Sequence, residues 1–382
     1  MSSSFGENIR LMIFGQSHGE MVGAVLDGLP PGEPVDLASL HTFVDRRAPG
    51  RGDGRSARQE ADRVQIVSGL YQGRTCGAPL CLWIANTDAR PSDYAPLLSV
   101  PRPSHADYTA ALRYGGYADP RGGGHLSGRL TAPFTAAGAI CSQILARRGI
   151  AVSGHIAALG GVVDPSPETH SLAKEELALL TKRSLPVFHD DVALRMQQAV
   201  VEAAAAGDSL GGVLEVFALG VPPGLGGPMF GGVENRLAAA AFAIPGLCGV
   251  EFGCGFAAAA MRGSEYNDRY FQAVDHSVRT YTNHHGGVLG GITSGMPLVM
   301  RAVVKPTPSI ALPQCTLDLT TGKETELRIQ GRHDACIALR ALPCLEAAVA
   351  FVLLDLMLDG EYRQPQTTGR RKGEDEKNGE NG

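Results

Sequence analysis

Histidines in two loops are the residues of this chain best suited to proton transfer. The first, His18, lies in Gly15–Glu20 (GQSHGE), a polar segment with flanking glycines that directly follows the strand-like RLMIF. A loop at the end of a strand combines a rigid scaffold with accessible side chains, and histidine exchanges protons near neutral pH. The alternative is a turn in which His18 only caps a neighbouring element, and this segment alone does not decide between the two.

The second histidine, His105, lies between stiffening prolines in Pro101–Tyr108 (PRPSHADY). Asp107, two residues further on, can either orient the imidazole or cap the helix that follows, and we favour capping. Two histidines held in separate rigid loops suit paired acid–base work.

A glycine-rich segment, Arg121–Arg129 (RGGGHLSGR), opens an apolar helical stretch. Backbone N–H groups at a helix start, with His125, Ser127 and Arg129 nearby, form a site suited to phosphate or carboxylate. The alternative is an ordinary loop in which Ser127 caps the helix; we favour the anion site. The sequence contains neither a strand–GxGxxG–helix fingerprint nor GxxxxGK[ST], so a dinucleotide Rossmann site and a P-loop are both unsupported.

Arginines are concentrated in a short segment near the N-terminus, at Arg46, Arg47, Arg51, Arg55, Arg58 and Arg63. Dense guanidinium groups on a segment rich in glycine suit a flexible lid, about residues 45–63, that closes on a phosphorylated or polycarboxylated small molecule. A solvated loop that binds nothing is the alternative. Acidic residues are interleaved, and the chain carries a net charge of −5, so we expect no nucleic-acid partner.

Two further segments place cations and hydroxyls at the ends of predicted elements. Lys305–Ser309 (KPTPS) follows a strand, and Gly331–Cys336 (GRHDAC) precedes a long apolar helix. Asp334 can be a plain N-cap of that helix or, beside Arg332 and His333, part of a proton relay.

Composition indicates a soluble globular protein, since 44% of the 382 residues are hydrophobic and 19% are charged. The apolar run 341–358 carries Glu346 and Asp355, which favours a buried helix over a membrane span. The eight cysteines lack zinc-like spacing, so we expect no metal site and a reducing compartment. The first residues lack the pattern of a secretory signal, and we therefore expect a cytoplasmic protein.

Hydrophobic periodicity and turn signals predict an α+β fold. Strands are predicted at Ile9–Phe14, Gly23–Leu29, Val64–Leu70, Gly212–Val221, Leu298–Lys305 and Glu326–Ile329. Helices are predicted at Leu130–Arg148, Asp191–Ala206, Glu234–Ala243 and Ala335–Leu358. The last helix is apolar on nearly every face, despite Pro343, and should be central. Residues 1–360 are predicted to form one large domain, and the charged residues 361–382 a disordered tail.

Taken in order, these segments resemble the chorismate synthase family. The match covers roughly residues 5–360 through GQSHGE, RPSHADY, RGGGHLSGR, GGVLGGITSG, KPTPS and GRHDAC. The resemblance implies a β–α–β sandwich, with antiparallel sheets around a central helical layer, and a homotetramer. It also implies the last step of the shikimate pathway, an anti-1,4-elimination of phosphate from 5-enolpyruvylshikimate 3-phosphate that yields chorismate. Reduced FMN is the implied cofactor, and NADPH reduces it in some members.

The resemblance implies roles for individual residues. His18 and His105 act as acids, and Asp334 works with the flavin in removing a proton. Substrate contacts are implied for Arg47, Arg51 and Arg129. Flavin contacts are implied for His125, Leu126, Ser127, Gly246, Gly290, Lys305, Pro306, Thr307, Pro308, Ser309 and Arg332. No metal ion and no membrane partner is implied.

Three positions depart from the commonest family pattern. His125 stands where an arginine is usual, so a fixed positive charge becomes titratable. Pro245-Gly246 replaces an Asn-Ala pair, which removes a side-chain amide contact, and the register of the lid around Arg51 is ambiguous.

Two alternative functions are considered. One is a different phosphate-eliminating or flavin-dependent lyase, and the other is a flavin- or anion-binding relative without lyase activity. The retained acid–base candidates argue against both. No inserted reductase domain is visible, so external and NADPH-driven flavin reduction both stay open.

Overall fold

The computed structural model describes residues 3–48, 62–87, 99–329 and 334–363. Its strands are β1 (Ser4–Phe5), β2 (Arg10–Gly15), β3 (Met21–Asp27), β4 (Gln65–Ser68), β5 (Leu70–Tyr71), β6 (Arg74–Thr75), β7 (Leu80–Ala85), β8 (Ala151–Leu159), β9 (Val162–Val163), β10 (Gly212–Leu219), β11 (Leu247–Phe252), β12 (Tyr270–Gln272), β13 (Val278–Thr280), β14 (Val288–Leu289), β15 (Ile292–Thr293), β16 (Leu298–Val304), β17 (Gln314–Asp318) and β18 (Lys323–Leu327). Its helices are α1 (Leu37–Asp45), α2 (Asp107–Arg113), α3 (Thr131–Arg147), α4 (Lys174–Leu180), α5 (Asp190–Ala205), α6 (Val233–Phe242), α7 (Gly263–Tyr266) and α8 (Ala338–Arg363).

Two antiparallel sheets form the outer layers of the domain. In the described residues, the first sheet has the order β1-β2-β3-β7-β4 and the second the order β11-β16-β10-β8-β9. In β7, Leu80, Leu82 and Ile84 are buried and alternate with less buried residues, the period-two pattern of a strand with one covered face.

Helices α3 and α8 fill the space between the sheets. Helix α3 packs on β3 and β7 of the first sheet, α8 packs on β8 and β10 of the second, and the two helices pack on each other. Their approach is close, because a Cβ added at Gly138 would lie 2.3 Å from the Cβ of Ala347. Every residue from Cys344 to Leu356 is at most 2% exposed, so the predicted central helix and the predicted layered sandwich are confirmed.

Helix α8 is long and apolar enough over Ala338–Asp359 to cross a membrane by length and composition, yet nearly all of it is buried within the domain. Its two central carboxylates are paired, as burial requires. Arg46 donates to both oxygens of Glu346 at 2.6 and 2.8 Å. Asp355 accepts from Arg236 and from the backbone N–H of Ile9 (2.8 Å).

The outer face of the second sheet holds a buried ionic group that the sequence patterns did not indicate. His155 places Nδ1 2.9 Å from Asp164 and Nε2 2.9 Å from Glu215. Burial by itself would lower the pKa of His155, but the hydrogen bonds to the two carboxylates outweigh burial and raise it.

The predicted helices are confirmed within a few residues, but some predictions differ from the structure. The last predicted strand lies a few residues earlier, at β18, because it pairs with β17 around Gly322. The predictions did not include strands β1 and β7 of the first sheet, nor β8, β9 and β11 of the second. Helix α8 continues to Arg363, three residues beyond the predicted domain boundary at residue 360. Residues 364–382 lie outside the described residues.

Candidate active site

The RGGGHL turn brings the two candidate histidines together. Its three successive glycines have positive φ, which other residues rarely adopt. A Cβ added at Gly122 would lie 2.3 Å from His18 Cε1. A Cβ added at Gly123 would lie 3.5 Å from His105 Cε1 and 3.7 Å from Ser127 Cβ. The turn therefore lies between the two imidazoles, with Ser127 beside it.

His105 is oriented by a carboxylate and an arginine. Its Nδ1 lies 2.7 Å from Asp107, which also accepts from Arg102 Nε and Nη2 at 2.8 Å each. Burial would raise the pKa of Asp107, but the hydrogen bonds from Arg102 and His105 outweigh burial and lower it. Asp107 thus accepts a hydrogen bond from Nδ1 of His105, which leaves the other ring nitrogen, Nε2, on the side of Gly123.

The prediction that Asp107 caps α2 is wrong. No side chain makes the capping hydrogen bond of that helix, whose N-cap residue is Ala106. The physical reason is that both oxygens of Asp107 already bind Arg102, and one of them also binds His105. Ser127, in contrast, does act as a cap, because its hydroxyl accepts from the backbone N–H of Arg129 (3.3 Å).

A buried carboxylate joins two of the predicted substrate-binding arginines. Asp62 is 1% exposed, and it pairs with Arg47 at 2.7 Å and, more closely, with Arg129. Burial would raise the pKa of Asp62, but the charges of the two arginines outweigh burial and lower it. Arg47 also donates to the Gly128 carbonyl and the Thr131 hydroxyl, both at 3.1 Å.

These contacts show that the two ends of the predicted lid are held in place. Arg46 and Arg47, at the end of α1, and Asp62, before β4, are all bound in ion pairs. Residues 49–61, which include Arg51, lie outside the described residues.

Asp334 lies in the same region as Arg47. Arg340 Nη1 donates to Asp334 at 2.5 Å, and Arg340 Nε donates to the backbone carbonyl of Arg47 at 3.0 Å. Burial, and then the charge of Arg47, lower the pKa of Arg340, while Asp334 opposes the change. Helix α8 begins at Ala338, so Asp334 is not its N-cap. Arg332 and His333 lie outside the described residues.

The KPTPS segment lies against the loop that carries His105. Lys305 donates through Nζ to the carbonyl of Ser104 (2.7 Å) and through its backbone N–H to that of Gly246 (2.9 Å). The hydroxyl of Ser309 accepts from Arg102 Nη1 at 3.3 Å. The structure thus brings Lys305, Ser309 and Gly246 beside the His105 loop.

Thr307, between Pro306 and Pro308, has an unusual hydroxyl. Its Oγ1 is buried and makes no hydrogen bond within the described parts of the chain. The backbone carbonyl of Thr307 accepts from the hydroxyl of Ser209 (2.8 Å). Leu210, which follows Ser209, donates its backbone N–H to the carbonyl of Ala335 (2.7 Å). A buried hydroxyl without a partner costs about 1–3 kcal/mol, so this one is a candidate ligand contact adjoining the Asp334 segment.

The imidazole of His125 contacts residues near the N-terminus. Its Nδ1 lies 2.8 Å from the carbonyl of Gly15 and its Nε2 2.8 Å from the hydroxyl of Ser3. The imidazole therefore ties the glycine turn to the N-terminal strands. Leu126 is 41% exposed.

Gly290 lies in a different part of the chain. It occupies the turn between β14 and β15, and this hairpin lies near the start of β16, where Val299 N donates to Gly286 O (3.0 Å). Lys305 follows the opposite end of β16. The strand has seven residues, which span about 20 Å, so one chain does not bring Gly290 beside Lys305.

Within the described residues, no group of three or more His, Cys, Asp and Glu side chains is arranged to hold a metal ion.

Comparison with known proteins decides the family. A family profile described as Chorismate synthase matches residues 9–358. The chain belongs to the chorismate synthase family. The chorismate synthase of Korarchaeum cryptofilum is 44% identical over 353 residues, covering 92% of this chain and 96% of the relative. That of Aeropyrum pernix is 46% identical over 366 residues, with 95% and 94% covered. A crystal structure of chorismate synthase superposes with a TM-score of 0.74 at 27% identity, and 93% of each chain is covered.

Several polar residues of this candidate site are not recognisable from the sequence. Asp62 is one of several acids among the arginines, and Arg102 lies between two prolines in PRPSHADY, so spacing does not distinguish either from its neighbours. Asn86, whose side-chain oxygen accepts from Arg129, and Arg340, which donates to Asp334 and to the carbonyl of Arg47, lie outside every motif, so their sequence positions carry no signal. A chorismate synthase motif marks a loop, whereas these residues hold the loops together.

Proposed function

We propose that this chain is a carbon–oxygen lyase that converts 5-enolpyruvylshikimate 3-phosphate to chorismate and phosphate by anti-1,4-elimination. The observation that carries the proposal is the convergence of His18, His105 and Ser127 on one glycine turn, in a chain of the chorismate synthase family. Two imidazoles held against one glycine turn suit the transfer of protons to a leaving phosphate and to a neighbouring group.

The substrate carries a phosphate and two carboxylates, and the site is rich in cations. Arg47 and Arg129 are oriented by Asp62, so their positions are set before any substrate binds. Arg51 is proposed as a third substrate contact. Asp334, held by Arg340 close to Arg47, is proposed to take part in removing the ring proton. His105 is the better oriented of the two acids, because Asp107 holds its Nδ1 and Nε2, which carries the proton to be donated, is left for the reacting groups.

The residues of the KPTPS segment fit a flavin mononucleotide. The partnerless buried hydroxyl of Thr307 is the specific observation, and Lys305 adds a cation for a phosphate. We propose a cofactor site that also includes Ser127, Gly246, Pro306, Pro308, Ser309 and Arg332. Reduced FMN, when bound, supplies an electron-rich ring that assists departure of phosphate. The chain's part is to bind and orient that ring and to deliver protons beside it.

We further propose a cytoplasmic homotetramer of single large domains, each about residues 1–360. Met229 and Phe230 are 81% and 91% exposed, and such apolar surface supports association with other copies. Partners would then be the small-molecule substrate and reduced FMN, with NADPH as a direct or indirect reductant. Gly290 and His125 are proposed as further flavin contacts, although Gly290 lies about one strand length from Lys305 within one chain.

The deciding experiment is anaerobic. The purified protein is mixed with reduced FMN and 5-enolpyruvylshikimate 3-phosphate, and chorismate and phosphate are followed together. We expect equal amounts of both products. We also expect losses of about 10²–10⁴-fold in kcat for His105→Ala and for Asp334→Ala. His276→Ala and Asp275→Ala, at exposed positions, are the matched controls and should leave kcat unchanged.

A folded protein that forms no product under these conditions contradicts the proposed reaction. A flavin- or anion-binding relative without lyase activity would bind flavin and be indifferent to both site substitutions. Repeating the reaction in air with oxidised FMN and NADPH separates a chain that reduces its own flavin from one that needs an external reductase.

A further inference from the structure

Asn86, directly after β7, makes hydrogen bonds in two directions. Its Nδ2 donates to the carbonyls of Gln16 (3.0 Å) and Gly19 (2.9 Å), and its Oδ1 accepts from Arg129 Nε (2.8 Å). Each end of the amide thus has partners of the matching type, so the orientation of the side chain is determined by its contacts. Its backbone N–H also donates to the carbonyl of Glu20 (3.0 Å).

The two carbonyls that Asn86 binds lie on either side of Ser17 and His18. They belong to a tight turn, in which Gly19 N donates to Gln16 O at 3.1 Å. Asn86 therefore closes this turn from outside with both of its amide hydrogens. The imidazole of His18 is 8% exposed and lies so close to Gly122 that a Cβ there would clash with it. A small displacement of the turn would consequently displace His18 relative to the space it faces.

The other end of Asn86 is attached to a rigid group. Arg129 donates through Nη1 to the buried Asp62 and through Nη2 to the carbonyl of Ala85 (3.2 Å). Arg129 is itself 5% exposed. The guanidinium is thus fixed from three sides, and Asn86 transmits that fixed position to the turn.

We propose that Asn86 is a positioning residue that holds His18 at the reaction centre through the GQSHGE turn. This inference rests on the proposed function for its catalytic consequence, whereas the positioning itself can be measured without activity. The two amide hydrogens and the amide oxygen have separable tasks, since only the hydrogens bind the turn. A variant that keeps the oxygen and removes the hydrogens therefore tests the proposal.

Asn86→Asp is that variant, because the carboxylate still accepts from Arg129 but faces the carbonyls of Gln16 and Gly19 without donors. We expect kcat to fall about 10²-fold with KM changed less than threefold, the scale of loss for a catalytic group misplaced by about 1 Å. The kcat–pH profile of His18→Ala, measured in parallel, identifies the limb of the profile that depends on His18. In Asn86→Asp this limb should shift or disappear. Asn235→Asp, at an exposed position on α6, is the matched control and should match the unmodified protein.

Amide hydrogen exchange of the peptide that contains residues 16–20 provides the readout besides activity. We expect Asn86→Asp to exchange faster in this peptide while peptides of α3 and α8 stay unchanged. If Asn86→Asp does not fold, Asn86→Ser is measured instead, since it loses the reach of both donors without adding charge. Unchanged exchange together with unchanged kcat overturns the proposal, and so does a fall in kcat with unchanged exchange. If the unmodified protein makes no chorismate, the proposed function fails, and the exchange result still decides whether Asn86 positions the turn.

Discussion

Replacing Asp62 by asparagine tests the buried ion group of the site most directly. Asp62 pairs with Arg47 and Arg129, and the exposure of the three side chains is 0%, 4% and 4%. Asparagine keeps the size of the side chain but leaves two buried guanidinium groups close together without their shared anion. Removing one partner from a buried pair destabilises a protein by about 3–5 kcal/mol, because the remaining charge stays desolvated.

The effect can be converted into a shift of the melting temperature. The entropy of unfolding is about 2.1 cal/mol/K per residue, or about 0.7 kcal/mol/K for roughly 330 ordered residues. We therefore expect Asp62→Asn to lower Tm by about 4–7 °C, measured by calorimetry at pH 7. Asp190→Asn is the matched control, since Asp190 pairs with Arg183 at 2.6 Å but is 89% exposed. Such a surface pair contributes about 0–1 kcal/mol, so its Tm should change by about 1 °C or less.

The pH dependence gives a second check with a fixed sign. The folded pKa of Asp62 is lowered below the ordinary value of 3.8, so the carboxylate stabilises the fold above that pH. Its contribution is lost as the pH falls below 3.8 toward the folded pKa. The Tm difference between the unmodified protein and Asp62→Asn should thus be constant from pH 5 to 7 and shrink only in stronger acid. Equal Tm values for Asp62→Asn and Asp190→Asn at pH 7 would refute the reasoning.

Three further changes follow from the geometry. Gly122→Ala should reduce kcat at least about 10²-fold, because its Cβ would displace His18, whereas Gly116→Ala, with positive φ but open space, should cost only about 1–2 kcal/mol of stability in calorimetry. Thr307→Val should leave Tm unchanged or raise it, yet weaken reduced-FMN binding about five- to tenfold in an anaerobic titration; unchanged affinity would remove Thr307 from the cofactor site. The folded pKa of His155 is raised above 6.5, so its stabilising contribution is full below that pH and is lost as pH rises through the folded pKa. The Tm difference between the unmodified protein and His155→Gln, followed from pH 6 to 9, should therefore decrease with rising pH, and an increase would contradict this sign.

The central helix shows how far local pattern reaches. Its apolar residues occupy every face, so burial between two layers was predictable, and its observed core from Cys344 to Leu356 agrees. The loops that carry His18, His105 and Ser127 were also identifiable, because each combines reactive side chains with glycine or proline in one short segment. Strands β8 and β11 were not, since glycine interrupts the β-branched pattern that identifies a strand in both, and alanine also interrupts it in β8.

The role of Asp107 shows why local preference failed within a correctly identified loop. An acid at the start of a helix favours capping, but Arg102 offers the same carboxylate two charged donors, which bind more strongly than a backbone N–H. The fold of the loop decides that competition, and the spacing of the residues does not reveal it.

The sequence by itself determined the chemistry available at the site: histidines in two loops, a glycine turn, arginines near the N-terminus and an aspartate before the central helix. It also determined the layered α+β class, because a helix that is apolar on nearly every face has to be covered on all sides by other elements. Only the tertiary structure decided that the glycine turn lies between His18 and His105, and that Asp62 joins Arg47 to Arg129. The reason is physical: a hydrogen bond or ion pair acts over about 3 Å, while Asp62 and Arg129 are 67 residues apart, so the packing of the layers sets which of many possible pairs can form.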